Sequence, residues 1–252
     1  MRSEKLKKNE LSINSVLKKL LIQKGDNLII HGDAGAIEQL NLNSFKKFKY
    51  FSDEIIKYLG KNGTILVPSF TYSFCKKKIF NPHLNKSEVG LFSEKFRKLK
   101  NYQRTDHPIF SFSIYGKNKK YFKKSNYETC FGDNSIFDLF LRKNGKIISF
   151  GSSFEDSVTF LHFIEQSAKV KYRYLKKFEG FIKKNNKKKK IITNYYVRDL
   201  KKNKSFVMPK PLFKIIKKAS FGRYLVTSIS SKKLYLHCMK KLKNDNNYLI
   251  KG

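Results

Sequence analysis

Carboxylates are scarce in this chain of 252 residues: 19 Asp and Glu stand against 55 Lys and Arg, a net charge of +36. Such a surface field favours anionic ligands and disfavours polycations. Cysteine is scarce too. Cys75, Cys130 and Cys238 are widely spaced and form no C-x-x-C pair, which excludes a disulfide framework and a zinc site and suits a reducing cytoplasm. No apolar run is long enough to span a bilayer. The N-terminal stretch "MRSEKLKKNELSINSVLKKLL" is charged throughout and lacks an apolar core with a small-residue cleavage site, so it is not expected to be a secretory signal. The usual chemical fingerprints are missing as well. There is no G-x-G-x-x-G after a strand, no phosphate-binding P-loop and no G-x-S-x-G elbow. The five histidines are scattered without an H-E-x-x-H, so a metal hydrolase lacks its ligands. RNA-recognition signatures are absent as well.

What is abundant is apolar and basic. Forty per cent of the residues are hydrophobic, with 23 Phe and 14 Tyr, enough for a sizeable core. The excess charge has two readings: a surface for nucleic acid or anionic membrane, or the codon bias of an AT-rich genome. The lysines are spread along the whole chain rather than gathered on one arm or helix face, which favours the second.

Periodicity divides the chain into alternating elements. A helical rhythm over 11–23 precedes a buried strand, "DNLIIHG" (26–32). A helix over 48–59 precedes a second buried strand, "GTILVPSF" (63–70). An irregular stretch (74–88), a short helix (91–99) and an alternating strand (107–116) follow. A helix over 135–145 leads to the strand "KIISFG" (146–151). A further helix is expected from "FEDSVTFLHFIEQSA", capped at Asp156 or Ser157. Beyond Arg173, "FEGFI" and "IITNYYVRDL" flank "KKNNKKKK" (183–190), a β-hairpin with a lysine-rich tip. The segment 233–245 is a terminal amphipathic helix. The order indicates an α/β fold: a layered α/β/α domain around a mixed, mainly buried sheet, with a β-hairpin and a terminal helix in the last third.

Polar residues collect at the strand ends, where ligands bind in such sheets. They are His31-Gly32-Asp33 after the first strand, Ser69, Thr71 and Tyr72 after the second, Arg104, His107 and Ser111 around the third, and Thr159, His162 and Glu165 on the helix past the fourth. His162 and Glu165 stand three apart in an otherwise apolar segment, a spacing that fits a helix with a core histidine or a base with its orienting carboxylate.

Four of these segments together resemble the aminoglycoside 3-N-acetyltransferase family, from about Leu11 to Leu249. They are "GTILVPSFTYSF" (63–74), "RTDHPIFS" (104–111), "FGDNS" (131–135) and "TFLHFIE" (159–165). They match, in order, the family's GT-hydrophobic-PTFT, R-S-x-H-P-x-x-S, F-G-x-x-S and T-x-x-H-x-x-E elements. The first strand departs, ending His31-Gly32-Asp33 where the family commonly has His-Ser-Ser, and Thr105 stands for the usual serine. The resemblance implies a single acetyltransferase-like domain over residues 1–252. It implies acetyl-CoA as co-substrate, no metal, and an amino-sugar substrate. Carried onto this sequence, it assigns His162, Glu165 and Thr159 to catalysis. It assigns His31, Gly32, Ser69, Thr71, Arg104, His107 and Ser111 to coenzyme binding.

Amide formation from a thioester needs a neutral amine, an exit for its proton and a stabilised oxyanion. A histidine suits the proton transfer, with a gain of about 10²–10⁴. On a helix, His162 meets both Thr159 and Glu165 at three-residue spacing. Glu165 then either fixes the imidazole or binds the substrate ammonium. Free N–H groups near Thr159 are candidate oxyanion donors, and His107 is the second candidate base. The net charge points to an anionic acceptor, a nucleotide-linked amino sugar of surface-polysaccharide synthesis. Local carboxylates at Asp33, Asp106, Asp156 and Glu165 argue for the alternative, an aminoglycoside. A non-enzymatic nucleic-acid-binding protein is the remaining alternative, although nucleic acid is not an expected partner. The expected location is the cytoplasm.

Overall fold

The computed structural model describes residues 11–185, 187–202 and 205–251; residues 1–10 of the charged N-terminal stretch lie outside them. In chain order the elements are α1 (Ile13–Lys19), β1 (Asn27–Gly32), α2 (Ala34–Glu38), α3 (Ser44–Leu59), β2 (Thr64–Pro68) and α4 (Gly90–Arg97). Next come β3 (Gln103–Arg104), β4 (Phe112–Gly116), α5 (Lys119–Phe122), α6 (Ile136–Arg142), β5 (Lys146–Phe150), α7 (Phe154–Ser157) and α8 (Phe160–Ser167). The last third holds β6 (Arg173–Lys184), β7 (Lys187–Arg198), β8 (Ser205–Phe206), α9 (Lys210–Ile215), β9 (Lys217–Phe221), β10 (Tyr224–Ser230), α10 (Ser231–Asn244) and β11 (Ile250–Lys251).

Seven strands form one mixed sheet in the order β3-β4-β2-β1-β5-β10-β9. Its centre, β2-β1-β5, is parallel, and β4 and β10 flank it antiparallel. Successive side chains of a strand point to opposite faces, and β1 shows the consequence. Leu28 and Ile30 pack with α1, α3 and α4 through Val16, Leu17, Phe51, Ile55 and Phe92. Ile29, between them, packs on the other side with α6, α8 and α10 through Phe137, Phe160, Ile164 and Leu234. Both faces are covered, so the short central strands are apolar almost throughout. The expected α/β/α layering is what the chain builds.

Three local expectations are corrected. The strand expected from His107 begins only at Phe112, because the His107 ring draws the N–H groups of Ile109 and Phe110 inward and bends the chain. The helix expected from Asp156 or Ser157 is broken. α7 ends at Ser157, and α8 begins after Thr159, which makes no side-chain capping bond; the side chain of Asp156 lies outside the described residues. The hairpin is longer than expected. β6 and β7 pair from Arg173↔Arg198 to Lys184↔Lys187, so Lys187 to Lys190 lie in a strand rather than at the tip. The strand pair β9–β10 is not among the elements that periodicity indicates. Its Val226, Ala219 and Phe221 cover one end of the core.

The hairpin is fastened to the loops around the sheet by backbone bonds. Phe80 N–H donates to the Phe181 carbonyl (2.9 Å) and Asn194 N–H to that of Glu128 (2.8 Å). These bonds carry Arg173 and Tyr195 to the carboxyl end of the parallel strands. Burial beneath α3 is equally dense. Phe51 is fully buried, with its ring edge-on to Phe150 at 4.7 Å and to Phe92 at 6.0 Å. Phe51→Ala should therefore cost about 3–5 kcal/mol. Urea denaturation measures it, and a loss under about 1 kcal/mol would show that this layer repacks freely.

Candidate active site

β1, β2 and β5 are parallel and end at the same edge. The chain passes from β1 to β2 on one side, and β5 lies on the other, so the crevice above β1 is a topological switch point. A cavity of about 440 Å³ opens there. β1 contributes His31 and Gly32, the segment after β2 contributes Phe70 and Tyr72, and the turn after β5 contributes Ser152. Tyr195 of β7, Thr159 and His162 also line it.

His162 keeps 33% of its side chain exposed, whereas Glu165 keeps 2%. The imidazole Nδ1 lies 2.7 Å from Glu165 Oε2. Glu165 Oε1 accepts from the Tyr172 hydroxyl at 2.9 Å. Arg173 completes the group: its Nε lies 2.8 Å from Oε2, although that N–H is not aimed well enough to count as a hydrogen bond. Its Nη2 lies 2.9 Å from His162 Nδ1. Burial pushes the Glu165 carboxyl up, but His162, Arg173 and Tyr172 together outweigh it and hold the group below the usual carboxylate range. Burial, then Arg173, push His162 below the usual imidazole range, against the pull of Glu165. Near neutral pH the pair is therefore a carboxylate beside a neutral imidazole. Glu165 is not among the residues lining the cavity, and both its oxygens have partners.

The other sequence-derived residues divide into two groups. His31 and Gly32 line the cavity with Thr159. His31 is 7% exposed, its Nε2 has no partner, and burial lowers its pKa to about 3. Gly32 leaves room for Phe92, whose ring a Cβ would meet at 2.5 Å. The second group sits outside the cavity lining and holds its walls. Ser69 Oγ lies 2.6 Å from Ser113 Oγ, and Thr71 donates to Glu88 at 2.5 Å. Arg104 donates to the carbonyls of Asn85 and Ser69 and to Ser111 Oγ. Burial, then Arg97, lower its pKa to about 9, so it remains a cation. Ser111 donates to the Ser69 carbonyl at 2.8 Å. His107 has no free nitrogen: Nδ1 accepts from Ile109 (3.1 Å) and Phe110 (2.9 Å), and Nε2–H donates to the Thr129 carbonyl at 3.3 Å. These five residues tie the segment after β2 to β4 and to the surrounding loops.

Two further expectations change. The Thr159 backbone N–H donates to the Ser157 carbonyl at 2.9 Å and is not free for an oxyanion. The Thr159 hydroxyl makes only a long contact with that carbonyl, 3.5 Å. Asp33 caps α2 by accepting from Gly35 N–H at 2.6 Å, and Asp106 pairs with Lys184 at 2.6 Å. Neither lines the cavity.

Sequence reasoning missed Ser152, Tyr172, Arg173 and Tyr195. Ser152 Oγ is buried without a partner and faces the cavity. No local pattern marks Tyr172 and Arg173. The helix ends at Ser167, and Lys169 turns the chain at φ 51°, which brings both residues back alongside α8. Among the described residues, no group of His, Cys, Asp and Glu is placed to hold a metal.

A family model described as aminoglycoside 3-N-acetyltransferase matches residues 29–243. No curated protein matches the sequence. Solved structures share the fold at low identity. The AAC(3)-IVa apoenzyme has a TM-score of 0.73 at 19% identity, over 96% of this chain and 90% of that one. AAC-IIIb in a binary complex with CoASH has 0.77 at 14%, over 93% and 96%. AAC-VIa bound to sisomicin has 0.74 at 18%, over 94% and 97%.

The scaffold role of His107 is testable. His107→Ala leaves two buried N–H groups bare, at about 1–3 kcal/mol each. Thermal unfolding should show that loss, while the pH profile of catalysis in the folded enzyme stays in place. A shifted profile would return His107 to the chemistry.

Proposed function

The chain belongs to the aminoglycoside 3-N-acetyltransferase family, and on that footing we propose that it acetylates an amine of an aminoglycoside, with His162 as the general base. As an acetyl-CoA-dependent N-acyltransferase, it draws the acetyl thioester from acetyl-CoA. The observation that carries the proposal is the His162–Glu165 pair, 2.7 Å apart, with the imidazole at the cavity and the carboxylate behind it. With Nδ1–H donating to Glu165, Nε2 presents its lone pair to the cavity. There it takes the proton that the amine nitrogen sheds as its new bond to the acetyl carbon forms. It returns a proton to the sulfur as the carbon–sulfur bond breaks.

Glu165 orients His162 in this reading, because its oxygens are already engaged. The Thr159 and Ser152 hydroxyls are the donors available to a developing oxyanion. The residues present fit an amide-bearing thioester arm: His31 Nε2 and Ser152 Oγ are buried without partners, between apolar walls at Pro68, Phe70 and Val89. The second group of residues, from Ser69 to Ser111, supports the coenzyme site by fixing its walls. We treat residues 1–252 as one acetyltransferase-like domain, since the central strands serve both core layers.

The family match supports an aminoglycoside acceptor over the nucleotide-linked sugar that the net charge indicated. The field of +36 acts over the whole surface and is screened within about 8–10 Å at physiological salt, whereas amine recognition is local. A cytoplasmic location fits the use of acetyl-CoA and the three free thiols. No helix of the described residues is long and apolar enough to cross a membrane.

Three measurements test the proposal. Thiol release with acetyl-CoA should occur with aminoglycosides and not with nucleotide amino sugars; the reverse pattern overturns the acceptor. His162→Ala should lower kcat by about 10²–10⁴ with acetyl-CoA binding retained, and a fall under about threefold removes His162 as base. Glu165 raises the basicity of His162, so Glu165→Gln should move the acid limb of kcat/KM to lower pH. An unmoved limb with a raised KM for the amine would instead place Glu165 on the substrate.

A further inference from the structure

We propose that Arg173 sets which nitrogen of His162 carries the proton, and so governs how readily the imidazole both takes up and gives back the proton of the proposed reaction. The inference rests on His162 being the proton carrier of the reaction. The geometry is a shared atom. His162 Nδ1 lies 2.7 Å from Glu165 Oε2 and 2.9 Å from Arg173 Nη2. A carboxylate only accepts and a guanidinium only donates. Nδ1 can therefore satisfy one neighbour at a time. Protonated, it donates to Glu165 and leaves Nε2 as a base toward the cavity. Unprotonated, it accepts from Arg173 and leaves Nε2–H as a donor toward the cavity. Glu165 is satisfied in either state, because Tyr172 donates to Oε1 and Arg173 lies against Oε2.

The same placement acts on the charged form. In a simple acid–histidine pair the carboxylate stabilises the imidazolium. Here the carboxylate already faces a guanidinium that is 8% exposed, so an imidazolium has no unshared anion. The charged and titratable groups around His162 are Glu165 on its own helix, Tyr172 just before β6, Arg173 at its start, Arg198 at the end of β7, and His31, Tyr72 and Tyr195 in the shared cavity lining. Arg198 adds to the positive side. A proton taken from the amine is thus readily released to the leaving sulfur. Arg173 is a positioning residue. It touches His162 and Glu165, is anchored by Nη1 on the Tyr196 carbonyl at 3.2 Å, and is not among the residues lining the cavity.

The test is ¹⁵N NMR of the histidine ring nitrogens in the full-length resting enzyme, wild type against Arg173→Met and Arg173→Lys, alongside the pH dependence of kcat/KM. In the wild type, His162 should show a population protonated on Nε2. In Arg173→Met that population should collapse to the Nδ1-protonated form, and the acid limb should rise by about one to two pH units. The KM for acetyl-CoA should stay within about twofold. Arg173→Lys restores the charge without the fork and should return the limb toward wild type, which also controls for a folding defect in the methionine variant. An unchanged tautomer ratio with an unmoved limb would make Arg173 a packing residue and overturn the proposal. The NMR reading does not depend on turnover. Activity surviving in His162→Ala would therefore sink the assigned base while leaving the tautomer result to stand or fall by itself.

Discussion

A carboxylate removed from water must be hydrogen-bonded and charge-balanced or it will not stay ionised. Glu165 meets that constraint with donors or cations from three places: His162 one turn back on its own helix, Tyr172 from the returning chain, and Arg173 from the first residue of the hairpin. The hairpin must be where it is for the carboxylate to be buried. In turn the carboxylate ties the hairpin to α8. Further contacts, among them Phe80 with Phe181 and Asn194 with Glu128, fix other parts of the hairpin to the loops around the sheet. The charge state of His162 and its place in the cavity lining thus come from one buried cluster.

The opposite wall is built without a carboxylate at the chemistry. Arg104, His107 and Ser111 look like site residues by type, yet each is fully engaged with backbone or neighbouring hydroxyls. Arg104 acts as a strut between Ser69, Ser111 and Asn85. A buried cation of this kind is tolerable because four carbonyl or hydroxyl oxygens surround it, and the ring of Phe80 lies 5.1 Å away. The rigidity matters because Phe70 and Phe110, held on this frame, shape the cavity.

Net charge has little bearing on the site itself. The scarce carboxylates are largely paired where they stand: Asp26 with Lys146, Glu38 with Lys47, Asp53 with Lys49, Glu94 with Arg97 and Asp138 with Arg142. Exposed pairs such as Lys49–Asp53 add little stability. Their main effect is to leave the excess lysines as a diffuse field. The lysines of β7 face solvent on a strand, not on a flexible tip.

The amino-acid sequence by itself determined the layers. Runs such as "NLIIHG" and "TILVP" are too apolar for any place but a sheet covered on both faces, and the spacing of Thr159, His162 and Glu165 put the last two on one helical face. Those are local properties, carried by periods of two and 3.6 residues. What lies far apart in sequence was decided only by tertiary structure. Arg104, His107 and Ser111 cannot be told from ligands by type, since the oxygens and N–H groups that engage them come from the fold. Arg173 could not be placed against His162 until the turn at Lys169 and the pairing of β6 with β7 brought it there. Helix and strand periodicity records which face a side chain takes, but not which distant partner meets it. That partner fixes whether a histidine is held on the backbone, as His107 is, or left facing the cavity, as His162 is.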